Sequence, residues 1–263
     1  MLTEAIEYLI TPCHHWSRRL GYLNHAVSLR ARRRRWHKVW RPHLDNCRTL
    51  IIEAMARCSQ RRRAVVLGSG LLMEVPLNEL AASFGEVVLV DAVHLLPERW
   101  LIRRQTNVHM LACDVTGVAE RLLASKNPPV PDAVAMGLPP ELSGQEFDFA
   151  VSANMLSQLP LLPLWYLERL HPPPEGVVLG AFARELIHRH LADLHRLAPV
   201  ACLIADYESL LCEGNCIVDR DDLLFGATLP PPDREWMWEL APRPELYRRY
   251  DVRHRIVGHL SLP

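Results

Sequence analysis

The chain has 263 residues, 49% of them hydrophobic and 23% charged, with 30 basic and 30 acidic side chains. That composition supports a large buried core and excludes a disordered chain, and no apolar run reaches membrane-spanning length. Seven cysteines, an odd number without a CxxC pair, exclude a disulfide scaffold and fit a reducing compartment, so a cytoplasmic protein is expected. Cys212 and Cys216 are spaced like half a zinc site, but no second ligand pair accompanies them, and no metal is expected. Glu4 and Glu7 stand where a secretory signal would carry its basic segment. The overall neutrality conceals an asymmetry. Residues 1–63 hold 14 Lys/Arg against 4 Asp/Glu, and the remaining 200 hold 16 against 26. Packing of a basic N-terminal segment on an acidic body accounts for this better than a nucleic-acid partner does.

Residues 1–60 read as a helical cap or lid. Leu2, Ile6, Leu9 and Ile10 share one helical face. Thr11-Pro12 reads as an N-cap and first helical residue. Trp16, Leu20, Leu23 and Val27 follow at helical spacing, Arg30 and Arg32–Arg35 continue that helix as a basic turn, and Pro42 is expected to end or kink it. Leu44, Cys47, Ile51, Met55 and Cys58 mark the next helix. These apolar faces must be covered by the rest of the chain or by a second copy of it.

From residue 61 to 263 the pattern changes to short apolar runs alternating with helical segments. The runs are Ala64–Leu67, Val87–Val90, Val108–Ala112, Phe147–Val151 and Val200–Ala205. Helices are expected from Pro76 through Phe84 and from Phe182 to Leu197. Such alternation implies βαβ units and a parallel sheet buried on both faces. Two further strands, around Trp236–Leu240 and Val252–Leu260, read as an antiparallel pair. The expected architecture is an α/β, Rossmann-like, mostly parallel sheet with a C-terminal antiparallel strand pair, preceded by the helical segment.

In open parallel sheets ligands bind beyond the carboxyl ends of the strands. Gly68-Ser69-Gly70 follows the first run, where glycine permits a tight turn and close approach to a ligand. Asp91 ends the second run, at the spacing of about 20 residues from which an acid reaches a ribose. Asp114 follows the third run, and Ser152-Ala153-Asn154 follows the fourth. The third glycine of a dinucleotide fingerprint would fall at Met73, too bulky for a pyrophosphate, and no phosphate loop is present. Asp206-Tyr207-Glu208 is expected to end the fifth strand and face the same cleft, with Asn154, Ser157 and Gln158 beside the ligand. His14 and His15 would reach that cleft from the lid. His188, His190 and His195 read as surface residues.

These segments, VVLGSG at 65–70, VVLVDA at 87–92, LACDV at 111–115 and FDFAVSANMLSQL at 147–159, resemble the class I S-adenosylmethionine-dependent methyltransferases over roughly residues 64–260. The resemblance implies an S-adenosylmethionine-dependent transferase. It assigns Gly68, Ser69, Gly70, Glu74, Asp91, Ala92, Asp114, Val115, Ser152 and Asn154 to the cofactor. Asn154, Tyr207 and His15 are candidates for catalysis. Three positions depart from the family pattern. Val66 replaces an acid, with Glu74 as its stand-in; Leu72 replaces the third glycine; Ser152-Ala153-Asn154-Met155 replaces the amino-methylation motif. The expected acceptor is a small molecule, anionic if the basic lid faces it. The alternatives are transfer of the cofactor's aminocarboxypropyl arm, as in nicotianamine synthases, which resemble this layout, and a non-catalytic nucleotide- or nucleic-acid-binding protein. Only Trp36 and Trp40 interleave the arginine run, which weakens base stacking.

Overall fold

The computed structural model describes residues 2–132 and 138–263. Eight strands form one sheet in the order β3-β2-β1-β4-β5-β8-β7, with β6 beside β5. They are β1 (Arg63–Leu67), β2 (Glu86–Asp91), β3 (Val108–Ala112), β4 (Phe149–Ala153), β5 (Val200–Glu213), β6 (Cys216–Asp222), β7 (Arg234–Ala241) and β8 (Asp251–His259). The first five are parallel, and β8 runs antiparallel to both β5 and β7. The order reverses between β1 and β4, which opens a crevice at their carboxyl ends. The expected Rossmann-like sheet and its antiparallel partner strands are present.

The fifth strand is longer than its apolar run. β5 carries β4 along residues 200–204, and β6 along residues 208–213 on the same edge. The β6 strand, whose residues are all exposed, has no hydrophobic alternation and left no periodic signal. Cys212 and Cys216 belong to this hairpin, one buried and one exposed. Among the described residues no cluster of ligands could hold a metal, and no helix is long and apolar enough to cross a membrane.

Helices α1 (Leu2–Ile10), α2 (His15–Arg19) and α3 (Tyr22–Met55) precede the sheet. Thr11 and Pro12 lie in the connection before α2, whose N-cap is His14. The run Trp16 to Val27 is broken at Gly21, which takes φ +90°, a conformation open to glycine. Trp16, Leu20, Leu23 and Val27 are all buried, whereas Ile6, Leu9 and Ile10 are exposed. Pro42 lies within α3 without ending it, and the kink falls earlier, at Trp36. There the Trp36 Nε1 donates to Glu245 Oε2 at 2.8 Å, so a tertiary contact holds the non-helical residue.

Beyond the kink, Trp40, Leu44, Cys47, Leu50, Ile51, Ala54 and Met55 join the same core as Val66, Leu89, Phe149 and Ile256. Gly258 of β8 permits this approach: a Cβ there would stand 2.8 Å from Leu50 and 3.0 Å from Trp236. The other sheet face packs on α8 (Gly176–Leu197) through Ile187, Leu194 and Leu197. Connections between the first strands carry α4 (Leu77–Ser83), α5 (Leu96–Ile102), α6 (Ala119–Leu123) and α7 (Leu161–Leu167).

Part of the N-terminal charge is paired within the chain. Arg30 is buried between Glu7 and Glu98, Arg32 and Arg35 meet Glu245, and Arg234 reaches back to Glu53. Three of the five arginines at 30–35 are thus engaged by carboxylates. These pairs tie α1 and α3 to one another, to α5 and to the loop that carries Glu245.

Candidate functional site

A cavity of about 140 Å³, partly open to solvent, lies over the carboxyl ends of β1, β2, β3 and β4. Its floor is built from the loops that follow these strands. Gly68 and Gly70 take φ +75° and +38°, and Leu72 takes φ +55°. Leu72 thus holds, at a cost of about 1–2 kcal/mol, the left-handed backbone for which glycine is the usual residue. A Cβ on Gly68 would stand 2.9 Å from the Met155 Cβ and 3.0 Å from the Ala153 carbonyl. The first and fourth strand-end loops therefore touch where only hydrogen fits.

Asp91 joins the glycine loop to the second strand. Its Oδ2 accepts the Gly70 N–H at 2.8 Å and its Oδ1 the Val93 N–H at 3.3 Å. Burial raises its pKa to about 6 despite these backbone donors. Asp114 also lines the cavity. Its oxygens are engaged by the Thr116 N–H and hydroxyl and by the Ala119 N–H, so it caps the turn entering α6. Ala92 and Val115 line the wall, with Glu74 beside the glycine loop.

The roof comes from α3. Tyr22, His25, Ala26 and Leu29 line the cavity opposite the strand ends. Nearby Ser17 of α2 donates to the Ala92 carbonyl at 2.9 Å, which pins the helices beside Asp91. Burial lowers the His25 pKa, with a smaller opposing contribution from its hydrogen bond to Gln158, so the ring is neutral near pH 7. Burial and the nearby Asp114 and Asp91 charges raise the Tyr22 pKa well above its ordinary value. No lysine or arginine is among the lining residues, which include Glu74, Asp91 and Asp114.

Asn154 follows the fourth strand with φ +53° and is buried. Its side-chain amide lies 3.0 Å from His43 Nε2 of α3, and its backbone carbonyl accepts from Gln158 Nε2 at 2.7 Å. Met155, Gln158, Leu161 and Leu162 complete that wall.

Several expected site residues lie elsewhere. Ser69 points away from the cavity, bonded to the Val90 carbonyl and His94. Ser152 faces the opposite side of the sheet, its hydroxyl 2.8 Å from His190 Nε2. Strand alternation explains this, because Ser152 precedes Ala153 within β4 and points to the opposite face. His190 is consequently buried rather than on the surface, and burial lowers its pKa to about 4, while His188 and His195 are exposed. Asp206-Tyr207-Glu208 sits in mid-strand because β5 continues to Glu213. Asp206 is engaged by Ser157 and His254, and Tyr207 packs in the core below the sheet's α8 face. His15 is exposed, and His14 bonds the Ala112 carbonyl from a separate cleft. Sequence periodicity did not single out Tyr22, His25 and His43. Tyr22 and His25 share a helical face with Leu29, three and four residues apart, the one signal that could have shown them.

No family model matches the chain, and no curated protein matches it. Similar solved structures exist. One is the Burkholderia thailandensis 1,6-didemethyltoxoflavin-N1-methyltransferase with 1,6-didemethyltoxoflavin and S-adenosylhomocysteine bound, at TM-score 0.34 and 16% identity over 86% of either chain. Another is a DhpI–SAH complex, at TM-score 0.38 and 11% identity over 89% of this chain and 95% of that one. The 23S rRNA methyltransferase ErmE follows at TM-score 0.29 and 10% identity over 82% and 69%. At these values the likeness concerns the general course of the chain and nothing finer.

Proposed function

We propose that the protein is an S-adenosylmethionine-dependent methyltransferase acting on a small molecule that enters beneath α3. The observation that carries this reading is the Asp91 carboxylate, tied to the Gly70 N–H at the switch point of the sheet and facing a covered cavity. A carboxylate so placed accepts two ribose hydroxyl protons. The residues fit the donor in charge as well. Glu74, Asp91 and Asp114 surround a space without lysine or arginine, which favours a ligand bearing sulfonium and ammonium charges. The same balance disfavours the anionic acceptor expected from the basic N-terminus, since those arginines are spent on Glu7, Glu98 and Glu245. A neutral or cationic acceptor suits the cavity.

When bound, S-adenosylmethionine supplies an activated methyl group, so the protein's task is alignment and exclusion of water. Tyr22, Ala26 and Leu29 form the cover, and the Gly68–Gly70 loop forms the floor. Where the acceptor arrives protonated, neutral His25 is the base within the cavity, oriented by Gln158. Calorimetry against S-adenosylhomocysteine and NAD tests the assignment. Preference for S-adenosylhomocysteine is expected, and tighter NAD binding overturns it. Recovery of methylthioadenosine rather than S-adenosylhomocysteine from turnover would replace methyl transfer by aminocarboxypropyl transfer.

A further inference from the structure

Helix α1 is turned against its own amphipathicity. Its Glu7 points inward to the buried Arg30, while its apolar Ile6, Leu9 and Ile10 face solvent, 48%, 73% and 56% exposed. Helix α5 repeats the arrangement. Glu98 is buried against the same Arg30, while Trp100 and Leu101 are 57% and 44% exposed. Residues two apart on a helix are separated by about 200°. Leu9 and Trp100 each stand two residues beyond the carboxylate that Arg30 holds, so both project away from it. One buried guanidinium thus sets two short helices side by side with their apolar crests outward. Arg99 Nη2 of α5 adds a tie to the Pro12 carbonyl, just beyond α1, at 3.1 Å. Large apolar side chains gathered on adjoining helices mark an interaction surface, whereas single ones do not.

The charge around these crests selects what covers them. From Pro97 to Arg104 the exposed charged side chains are Arg103 and Arg104, with no exposed acid. The Arg104 guanidinium lies 3.6 Å from the centroid of the Trp100 ring, so cation and indole are presented together. Arg18 and Arg99 donate to backbone carbonyls rather than to carboxylates. A second copy of the chain, related by a two-fold axis, would bring these arginines onto their own counterparts. A bilayer surface suits both features. Its acyl boundary takes the aliphatic side chains, its headgroup level takes the indole, and anionic lipids pair with the arginines.

We propose that the outer faces of α1 and α5 dock the protein on an anionic phospholipid surface, with the helices lying in the interface and not crossing it.

Co-sedimentation of the full chain with vesicles tests this. Vesicles of phosphatidylcholine with about a third phosphatidylserine should capture the protein, and phosphatidylcholine alone should do so about tenfold less well. Leu9→Gln with Trp100→Gln removes apolar area without changing charge and should lower capture by the anionic vesicles about tenfold or more. Arg103→Gln with Arg104→Gln should lower it similarly and flatten its dependence on salt. All four side chains are exposed, so the melting temperatures should stay at the wild-type value. Absence of capture by the anionic vesicles overturns the proposal. So does wild-type capture by folded Leu9→Gln/Trp100→Gln, the result that charge alone would produce. Sedimentation velocity reads the rival occupant. A monomer is expected, and a dimer that Leu9→Gln with Trp100→Gln dissociates would assign the face to a second copy and overturn the membrane reading.

Discussion

The Asp91 carboxylate accepts the Gly70 N–H at 2.8 Å, so the second strand's acid and the first strand's glycine loop form one unit. Removing the acid loosens the loop as well as the ligand. Asp91→Asn is expected to weaken S-adenosylhomocysteine binding by about 1–3 kcal/mol, the scale of a lost buried charged partner. Calorimetry on a variant of unchanged circular dichroism measures it, and unchanged affinity would leave Asp91 a loop brace only.

The same carboxylate gives a pH dependence of defined sign. Burial raises its folded pKa to about 6, above the ordinary carboxylate value of about 4. Between those values the folded state binds more protons than the unfolded one, so this group's contribution to stability falls as pH rises from about 4 to about 6 and is constant above. Ligand binding runs the other way, because the ionised form accepts the ribose hydroxyls, and affinity should rise through pH 6. Asp91→Asn should lack both trends. Denaturant unfolding and calorimetry at pH 4.5 and 7.5, wild type against variant, separate this group from the others. An identical affinity ratio at the two values would contradict the assignment.

Gly68→Ala is expected to cost about 1–3 kcal/mol through its positive φ alone. The new Cβ must also displace the Ala153 carbonyl or Met155, so cofactor affinity should fall in step. At Gly70, where the nearest atom to a Cβ is Asp91 Oδ2 at 3.4 Å, alanine should be tolerated better. Thermal melts of both variants decide the order, and equal effects would refute it.

Much of this site was legible because strand ends have local signatures. Gly68, Gly70, Asp91, Asp114 and Asn154 each follow an apolar run, and each lies beside the cavity. Ser69 and Ser152 were misplaced because the direction of a side chain at a strand end depends on register. Tyr207 was misplaced because nothing in Val200–Ala205 announces that β5 continues to Glu213. Residues 1–60 read as a helical cap or lid, but the side chains of that lid that line the cavity could not be read. Which face of α3 meets the strand ends follows from the Gly21 break, the Trp36 kink and ion pairs such as Arg30 with Glu98, contacts between residues up to some two hundred positions apart. His43 belongs to the same class, since its partners come from β4 and β7.

The cover can be tested by filling it. Deleting residues 1–40 would remove Leu20, Leu23, Val27 and Trp40, all buried, and so would damage the core with the lid. Ala26→Phe instead adds a ring to the cavity roof. Affinity for S-adenosylhomocysteine should drop about tenfold or more if the ligand occupies the space below. An unchanged melting temperature with unchanged affinity would place the ligand elsewhere.

Arg30 fastens the roof to the second strand's helix. It donates to Glu7 of α1 at 2.7 Å and to Glu98 of α5, and it is 7% exposed. Burial raises the Glu98 pKa, an effect the Arg30 charge partly offsets. Arg30→Ala strands this carboxylate, and breaking a buried pair by removing one partner costs about 3–5 kcal/mol. Without the guanidinium the Glu98 pKa should rise further. The variant's deficit should therefore shrink as the pH falls and Glu98 takes up its proton. Replacing Arg30 by Met together with Glu98→Gln removes both buried charges, and should recover a large part of the loss, because the desolvation of the pair disappears with it. Urea unfolding of the three proteins at pH 7, and of Arg30→Ala at pH 5, provides the comparison. A deficit below about 1 kcal/mol would mark the contact as no stronger than a surface ion pair. A deficit independent of pH would show that lost packing of the arginine stem, rather than the stranded carboxylate, holds the roof in place.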